Sequence, residues 1–198
     1  MKKLSVIAIV FLFLFLNTGN LFAAARTWEI DTAHSNFYFT VDHVYSKVRG
    51  RFNEFSGEVK FDPSNLADSR FFFEIQVDSI DTSIAKRDKH LQSADFFDSG
   101  KYPVMTFESV KITDAGNNLY KVAGKFTIKG ATYDLVLPLK FEGIKSHPAA
   151  EGKDVAGFNG TVTIDRLAYK VGTGKFYEMG LVGKDVDILV TLEVLSDR

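Results

Sequence analysis

The chain has 198 residues, with 24 Lys and Arg against 25 Asp and Glu, 19 Phe and no Cys. Its formal charge of −1 supplies no basic stripe for a nucleic-acid backbone, and the lack of Cys excludes disulfides, thiol nucleophiles and thiolate metal sites. A chain of this length reads as one domain, large enough to bury about 70% of its unfolded surface.

Met1 to Ala25 reads as a leader for export. Lys2 and Lys3 make a basic start, Leu4 to Leu16 is an apolar run broken only by Ser5, and Ala23-Ala24-Ala25 is a small-residue cleavage pattern. The run is shorter than the ~20 residues that a spanning helix needs. Removing the leader takes away two lysines and no acid, which leaves 22 basic against 25 acidic residues. The expected mature domain is 26–198, periplasmic or secreted, with no membrane span.

Alternation governs the rest. Phe37, Phe39, Val41 and His43 share one face of a first strand, and Phe55, Gly57, Val59 and Phe61 one face of a second. Phe71, Phe73, Ile75 and Val77 mark a third. After a non-alternating stretch, Met105 to Thr113 is a fourth and Tyr120 to Ile128 a fifth. Lys129-Gly130 is a tight hairpin signal. Tyr133 to Phe141 is a sixth strand, with Pro138 forecasting a bulge or a poorly paired site. Gly143 to Gly157 reads as a polar loop, Phe158 to Ile164 as a seventh strand, Arg166 to Gly183 as a long connection, and Val186 to Val194 as an eighth. Eight such strands predict an antiparallel barrel or sandwich.

Ser79 to Phe107 breaks the pattern. Ile84, Arg87, Leu91 and Ala94 fall on one face of a short helix, with Asp81, Thr82 or Ser83 placed to cap it. Phe96 and Phe97 follow, and Pro103 returns the chain to a strand. A helical excursion in a strand-rich chain suggests a lid. Arg87 lies on the apolar stripe, so it requires a carboxylate, a carbonyl or an anionic head group as partner; Asp165 and Asp31 are options. His43 continues an apolar face and is expected to point inward.

Other constellations are weaker. His34, His43, His90 and His147 lack metal-site spacing, so no metal is expected. Asp31, His34 and Ser35 hold the ingredients of a nucleophile site without the strand–turn–helix elbow that exposes such a Ser. Gly172-Thr173-Gly174-Lys175 lacks phosphate-loop spacing and reads as a turn. The mature part keeps fifteen Phe. Rings beside Gly57 and Gly160 leave two alternatives open: a solid core, or a channel that holds one slender ligand.

Ser79-Ile80-x-Thr82, Arg87-Asp88-x-His90-Leu91, Asp95-Phe96-Phe97-Asp98 and Tyr102-Pro103-x-Met105-Thr106-Phe107 resemble the central signature of the YceI family. Ile30-Asp31 with His34-Ser35 and His43, the blocks Gly50–Phe61 and Gly124–Gly130, Ile164-Asp165-Arg166 with Tyr169, and Gly183-Lys184-Asp185-Val186 extend the resemblance over nearly the whole mature chain. It implies an exported all-β protein: an eight-stranded antiparallel, lipocalin-like barrel with a helical insertion between strands three and four. Such a barrel would hold a long isoprenoid or acyl-chain amphiphile, without cofactor or catalysis. The tail would lie along Phe37, Phe39, Val41, Phe55, Phe61, Phe73, Phe96, Phe97, Phe107, Phe126 and Phe158. His43, Arg87 and His90 would meet the polar head. A lipid-modifying enzyme, a filled barrel acting as an interaction or stress-protective module, and a homodimer remain open.

Overall fold

The computed structural model describes residues 24–198; the basic start and apolar run expected of a leader lie outside them. Among the described residues eleven strand segments form one antiparallel sheet: β1 (Thr27–Ile30), β2 (Asn36–His43), β3 (Ser46–Phe52), β4 (Phe55–Lys60), β5 (Arg70–Gln76), β6 (Ile80–Asp81), β7 (Val104–Asp114), β8 (Leu119–Ile128), β9 (Ala131–Ser146), β10 (Lys153–Asp165) and β11 (Val182–Asp197). Two short α-helices, α1 (Ala85–Gln92) and α2 (Lys175–Glu178), and a single 3-10 turn at Val77–Ser79 interrupt it.

The ladder runs β1-β4-β5-β7-β8-β9-β10-β11 and closes through a β1–β11 pairing. Along β11, Val194 and Leu195 face β1, while Val186 to Thr191 face β2. β1 and β2 are thus two halves of one bent wall, and β3 and β4, which pair with them in turn, are halves of the next. The result is the expected closed barrel of eight antiparallel walls.

Alternation is the reason for these strands. On β5, Phe71, Phe73 and Ile75 are buried while their neighbours are partly exposed; on β8, Tyr120, Val122, Phe126 and Ile128 are buried. Lys129 and Gly130 both take positive φ, 50° and 71°, as a tight hairpin requires. Pro138 pairs with β8 at Lys121, but the ladder to β10 ends at Lys140, so the missing N–H is not called upon on that side.

Several expectations need correction. β1, β3 and β6 were not anticipated. Most of the expected loop Gly143–Gly157 is strand, since β9 runs to Ser146 and β10 starts at Lys153. A bulge at Glu142 lets it: Gly143 takes φ 101° and the register shifts between Gly157 and Phe158.

α1 lies between the third and fourth anticipated strands, as expected, but buries no residue. Ile84 is exposed, and Ala94 lies beyond the last turn. The anticipated caps act differently. Asp88 reaches back to accept the N–H (2.9 Å) and hydroxyl of Thr82, and Asp81 accepts the Ser83 N–H at 2.8 Å.

The barrel interior has two unlike ends. Toward one, Phe61 packs against Phe158 (5.0 Å between ring centres), Tyr120 (5.1 Å), Phe141 (5.1 Å) and Phe71 (5.9 Å). Trp28 lies beside them, donating its indole N–H to the Phe61 carbonyl at 3.2 Å. This end is a solid aromatic plug. The other end is hollow.

Candidate functional site

The hollow end holds a partly open cavity of about 150 Å³. Its walls come from β2 (Phe37, Phe39, Val41), β5 (Phe73, Ile75), β7 (Met105, Phe107), β8 (Phe126, Ile128), β9 (Leu135, Leu137) and β11 (Val186, Ile188, Val190). Apart from Tyr38 on β2, each contributes every second residue, the inward face that alternation assigned. The excursion after β6 covers it with Leu91, Phe96 and Phe97, and the connection after β10 adds Arg166 and Val171. Among the lining residues only Tyr38 and Arg166 carry a nitrogen or oxygen on the side chain.

Glycines do not create the hollow. A Cβ on Gly50 would lie 2.4 Å from the ring of Phe39, and one on Gly124 would lie 2.5 Å from the ring of Phe107. The rings reach over the glycines and fill the space that a missing side chain leaves. The cavity arises instead because the inward residues of β9 and β11 are aliphatic, so rings do not meet across the middle as they do in the plug.

Two chain segments form the cover. Phe96, on the excursion, stacks on Phe176 of α2 with ring centres 5.8 Å apart and planes 13° apart. His90 sits edge-on to both rings, at 5.1 and 5.6 Å, and its Nε2 lies 3.2 Å from Asp95. Lys129, from the β8–β9 hairpin, donates to the Phe96 carbonyl.

Eight of the eleven residues assigned to a tail line the cavity: Phe37, Phe39, Val41, Phe73, Phe96, Phe97, Phe107 and Phe126. Phe61 and Phe158 belong to the plug. Phe55 packs edge-on behind Phe37 at 5.1 Å, outside the lining. Of the three assigned to a head group, none lines the cavity. His43 is exposed at the end of β2 and His90 is part of the cover. Arg87 binds neither Asp165 nor Asp31. Its Nε donates to the Thr82 hydroxyl and its Nη2 to the Thr82 carbonyl, both at 2.7 Å.

Sequence reading missed Arg166. It is 5% exposed and donates to three carbonyls: Nε to Gly183 at 2.8 Å, Nη1 to Val171 at 2.8 Å and Nη2 to Val182 at 3.4 Å. Burial lowers its pKa from the ordinary value, and the nearby Asp165 charge works against that. The guanidinium stays charged regardless. Its signals in the residues were its place in the Ile164-Asp165-Arg166 block of the family resemblance and the apolar Leu167 beside it.

Asp31, His34 and Glu193 bring their ligand-type atoms within 4.8 Å of one another, away from the cavity. Asp31 lies 2.7 Å from His34. That hydrogen bond lowers the carboxyl pKa and raises the imidazole pKa. Ser35 does not join them: its hydroxyl donates to the Glu193 carbonyl and accepts the Glu193 N–H, both at 3.0 Å. A side chain held this way is a strand brace.

Residues 28–194 match the YceI-like domain. A UPF0312 protein of Vibrio parahaemolyticus is 38% identical over 165 residues, covering 80% of this chain and 86% of that protein. The crystal structure of Burkholderia cenocepacia BcnA is similar at 30% identity and a TM-score of 0.73, over 85% of this chain and 99% of that one. A polyisoprenoid binding domain from Saccharophagus degradans, 16% identical, shares the fold at a TM-score of 0.59, over 84% and 97%. With the eight-walled barrel, the cavity at one end and a match that runs from β1 to β11, the chain belongs to the YceI-like family.

Proposed function

We propose that this protein is an exported carrier of a long-chain amphiphile of isoprenoid or acyl type, with the tail in the hollow end of the barrel. The observation that carries this reading is the lining: a cavity closed on one side by an aromatic plug and walled almost wholly by hydrocarbon and rings. Such walls bind by removing apolar surface from water, worth about 0.8 kcal/mol per CH₂. The similar polyisoprenoid binding domain supports an isoprenoid tail.

The volume constrains how binding proceeds. A cavity of about 150 Å³ lined by apolar side chains accepts a group the size of benzene. A tail of twenty carbons therefore extends through the opening or needs the cover to give way. Leu91 and Phe97 are the members to move, being partly exposed where Phe96 is buried and tied to Phe176. His90 rides on that cover, and Arg87 fixes the segment leading into it. In this reading both shape the rim, and His43 sits at the end of β2 in contact with water. Among the described residues no helix is long and apolar enough to cross a membrane.

Mass spectrometry of lipid extracted from natively purified protein tests the proposal. A stoichiometric long-chain amphiphile is expected. Protein that carries no lipid and takes none up from vesicles refutes it. Intact-mass analysis of the same sample tests export, since loss of the first 25 residues is expected and retention of Lys2 and Lys3 refutes it.

A further inference from the structure

Tail binding leaves the cavity's one cation unused. Arg166 is buried in the lining, and its guanidinium carries five N–H groups. Three meet the carbonyls of Gly183, Val171 and Val182, the last at 3.4 Å. Two N–H groups have no acceptor among the described residues. No carboxylate forms an ion pair with it either. The adjacent Asp165 is engaged by the Lys184 ammonium and the Leu167 N–H, each at 2.9 Å.

Carbonyl dipoles and the Phe96 ring, whose centre lies 5.9 Å from the guanidinium carbon, solvate a cation but do not neutralise it, and a charge without a contacting counter-ion in an apolar wall is costly. The chain nevertheless makes room for it. Gly172 takes φ 93°, and a Cβ there would lie 2.3 Å from Arg166 Nη1. One buried hydroxyl lacks a partner among the described residues. The Tyr133 hydroxyl is buried without a hydrogen bond. Its ring lies 4.6 Å from Tyr169, in the turn that follows Arg166. Buried hydroxyls in folded proteins are nearly always paired.

We propose that Arg166 anchors an anionic head group, a carboxylate or a phosphate, so that the amphiphile carried here is an acid. This rests on the carrier reading and narrows it. A planar guanidinium with two free N–H groups offers two oxygens a matched pair of bonds. In an apolar surround the attraction is stronger than in water, and the ligand's own charge completes the ion pair that the protein lacks. A neutral alcohol accepts a hydrogen bond but supplies no counter-charge.

Three C20 isoprenoids with the same tail length test this by calorimetric titration: geranylgeranyl monophosphate, geranylgeranoic acid and geranylgeraniol. At least one of the two anions is expected to bind at least about tenfold more tightly than the alcohol, a step of about 1.4 kcal/mol. Arg166→Gln is expected to bring all three to similar affinity, whereas Arg166→Lys keeps part of the preference. Phosphate preferred over carboxylate points to a lipid phosphate, and the reverse to a free acid. Equal binding of the three by the unaltered protein overturns the assignment without recourse to a variant, and so does a preference that survives in Arg166→Gln. If the alcohol and both anions all fail to bind, the carrier reading falls and this assignment falls with it.

Discussion

Replacing Phe61 with Ala separates the two ends of the barrel. Phe61 is 2% exposed and touches four other rings, with centres 5.0 to 5.9 Å away. Truncating a buried Phe costs about 3–5 kcal/mol through lost transfer energy and the cavity left behind. Each aromatic contact adds about 0.5–1.5 kcal/mol beyond its area, and neighbouring contacts do not sum independently. The upper part of that range, about 4–5 kcal/mol, is therefore expected. For a domain of this size it lowers the melting temperature by roughly 8–20 °C. Trp28, the only Trp in the chain, is bonded to the Phe61 carbonyl. Its fluorescence in a urea titration reports the loss directly, as a lower midpoint at a nearly unchanged slope. Well below the melt, amphiphile retention should stay as in the unaltered protein, because no atom of Phe61 lines the cavity. A cost below about 1 kcal/mol, or retention lost while the fold persists, refutes the division into plug and cavity.

Phe126→Asp puts a carboxylate into the lining and should abolish retention, whereas Lys125→Asp, on the outer face opposite Asp134, should cost only about 0.2–1 kcal/mol and keep it; equal loss in both, with melts intact, refutes the assignment of faces. Arg87→Met removes both bonds to Thr82 and should lower stability by about 1–3 kcal/mol, so an unchanged melt means that the segment leading into α1 is held by Asp88 alone. Protonated His34 is favoured by the fold, which raises its pKa above the ordinary 6.5. Its contribution is therefore full below about pH 6.5 and fades as pH rises through the folded value. Asp31 has a lowered pKa, so its share is present above about pH 4 and is lost as pH falls through the folded value. In Asp31→Asn the imidazole NMR titration of His34 should return toward 6.5, and identical titrations in both proteins contradict this account.

Alternation made eight walls legible, because side chains of opposite character mark the two faces of a strand. It did not show how far along the barrel a residue lies. Phe61, Phe158 and Phe126 look alike in sequence, yet two fill the plug and one lines the cavity. β3 was hidden for a related reason. Val48, Gly50 and Phe52 share one face, but Gly50 holds the Phe39 ring in place of a side chain and breaks the apolar signal. α1 was expected to turn an apolar stripe inward. Its residues are too polar to bury one, and the apolar contacts fall to Leu91, Phe96 and Phe97 at its end and beyond. Arg166 stood in a motif block, but its place in the cavity was invisible because its acceptors come from β11 and from a turn closed by Gly172, a juxtaposition that no local spacing encodes.

The β9–β10 ladder stops at Lys140 and Asn159. Below that point β9 continues to Ala131 and β10 to Asp165, each paired only on its far side. A closed barrel has no edges to offer another chain, but this seam restores two short ones facing each other. Tyr169 packs against Tyr133 and Phe126 beside them, and Gly160 approaches the Pro138 carbonyl so closely that a Cβ would lie 2.1 Å away. The turn after β10 thus acts as a guard on exposed backbone, and Pro138 withholds a donor from the same edge. Loosening that turn exposes two β edges of one chain to those of another. Self-association into aggregates, rather than simple unfolding, is then the characteristic failure of this barrel.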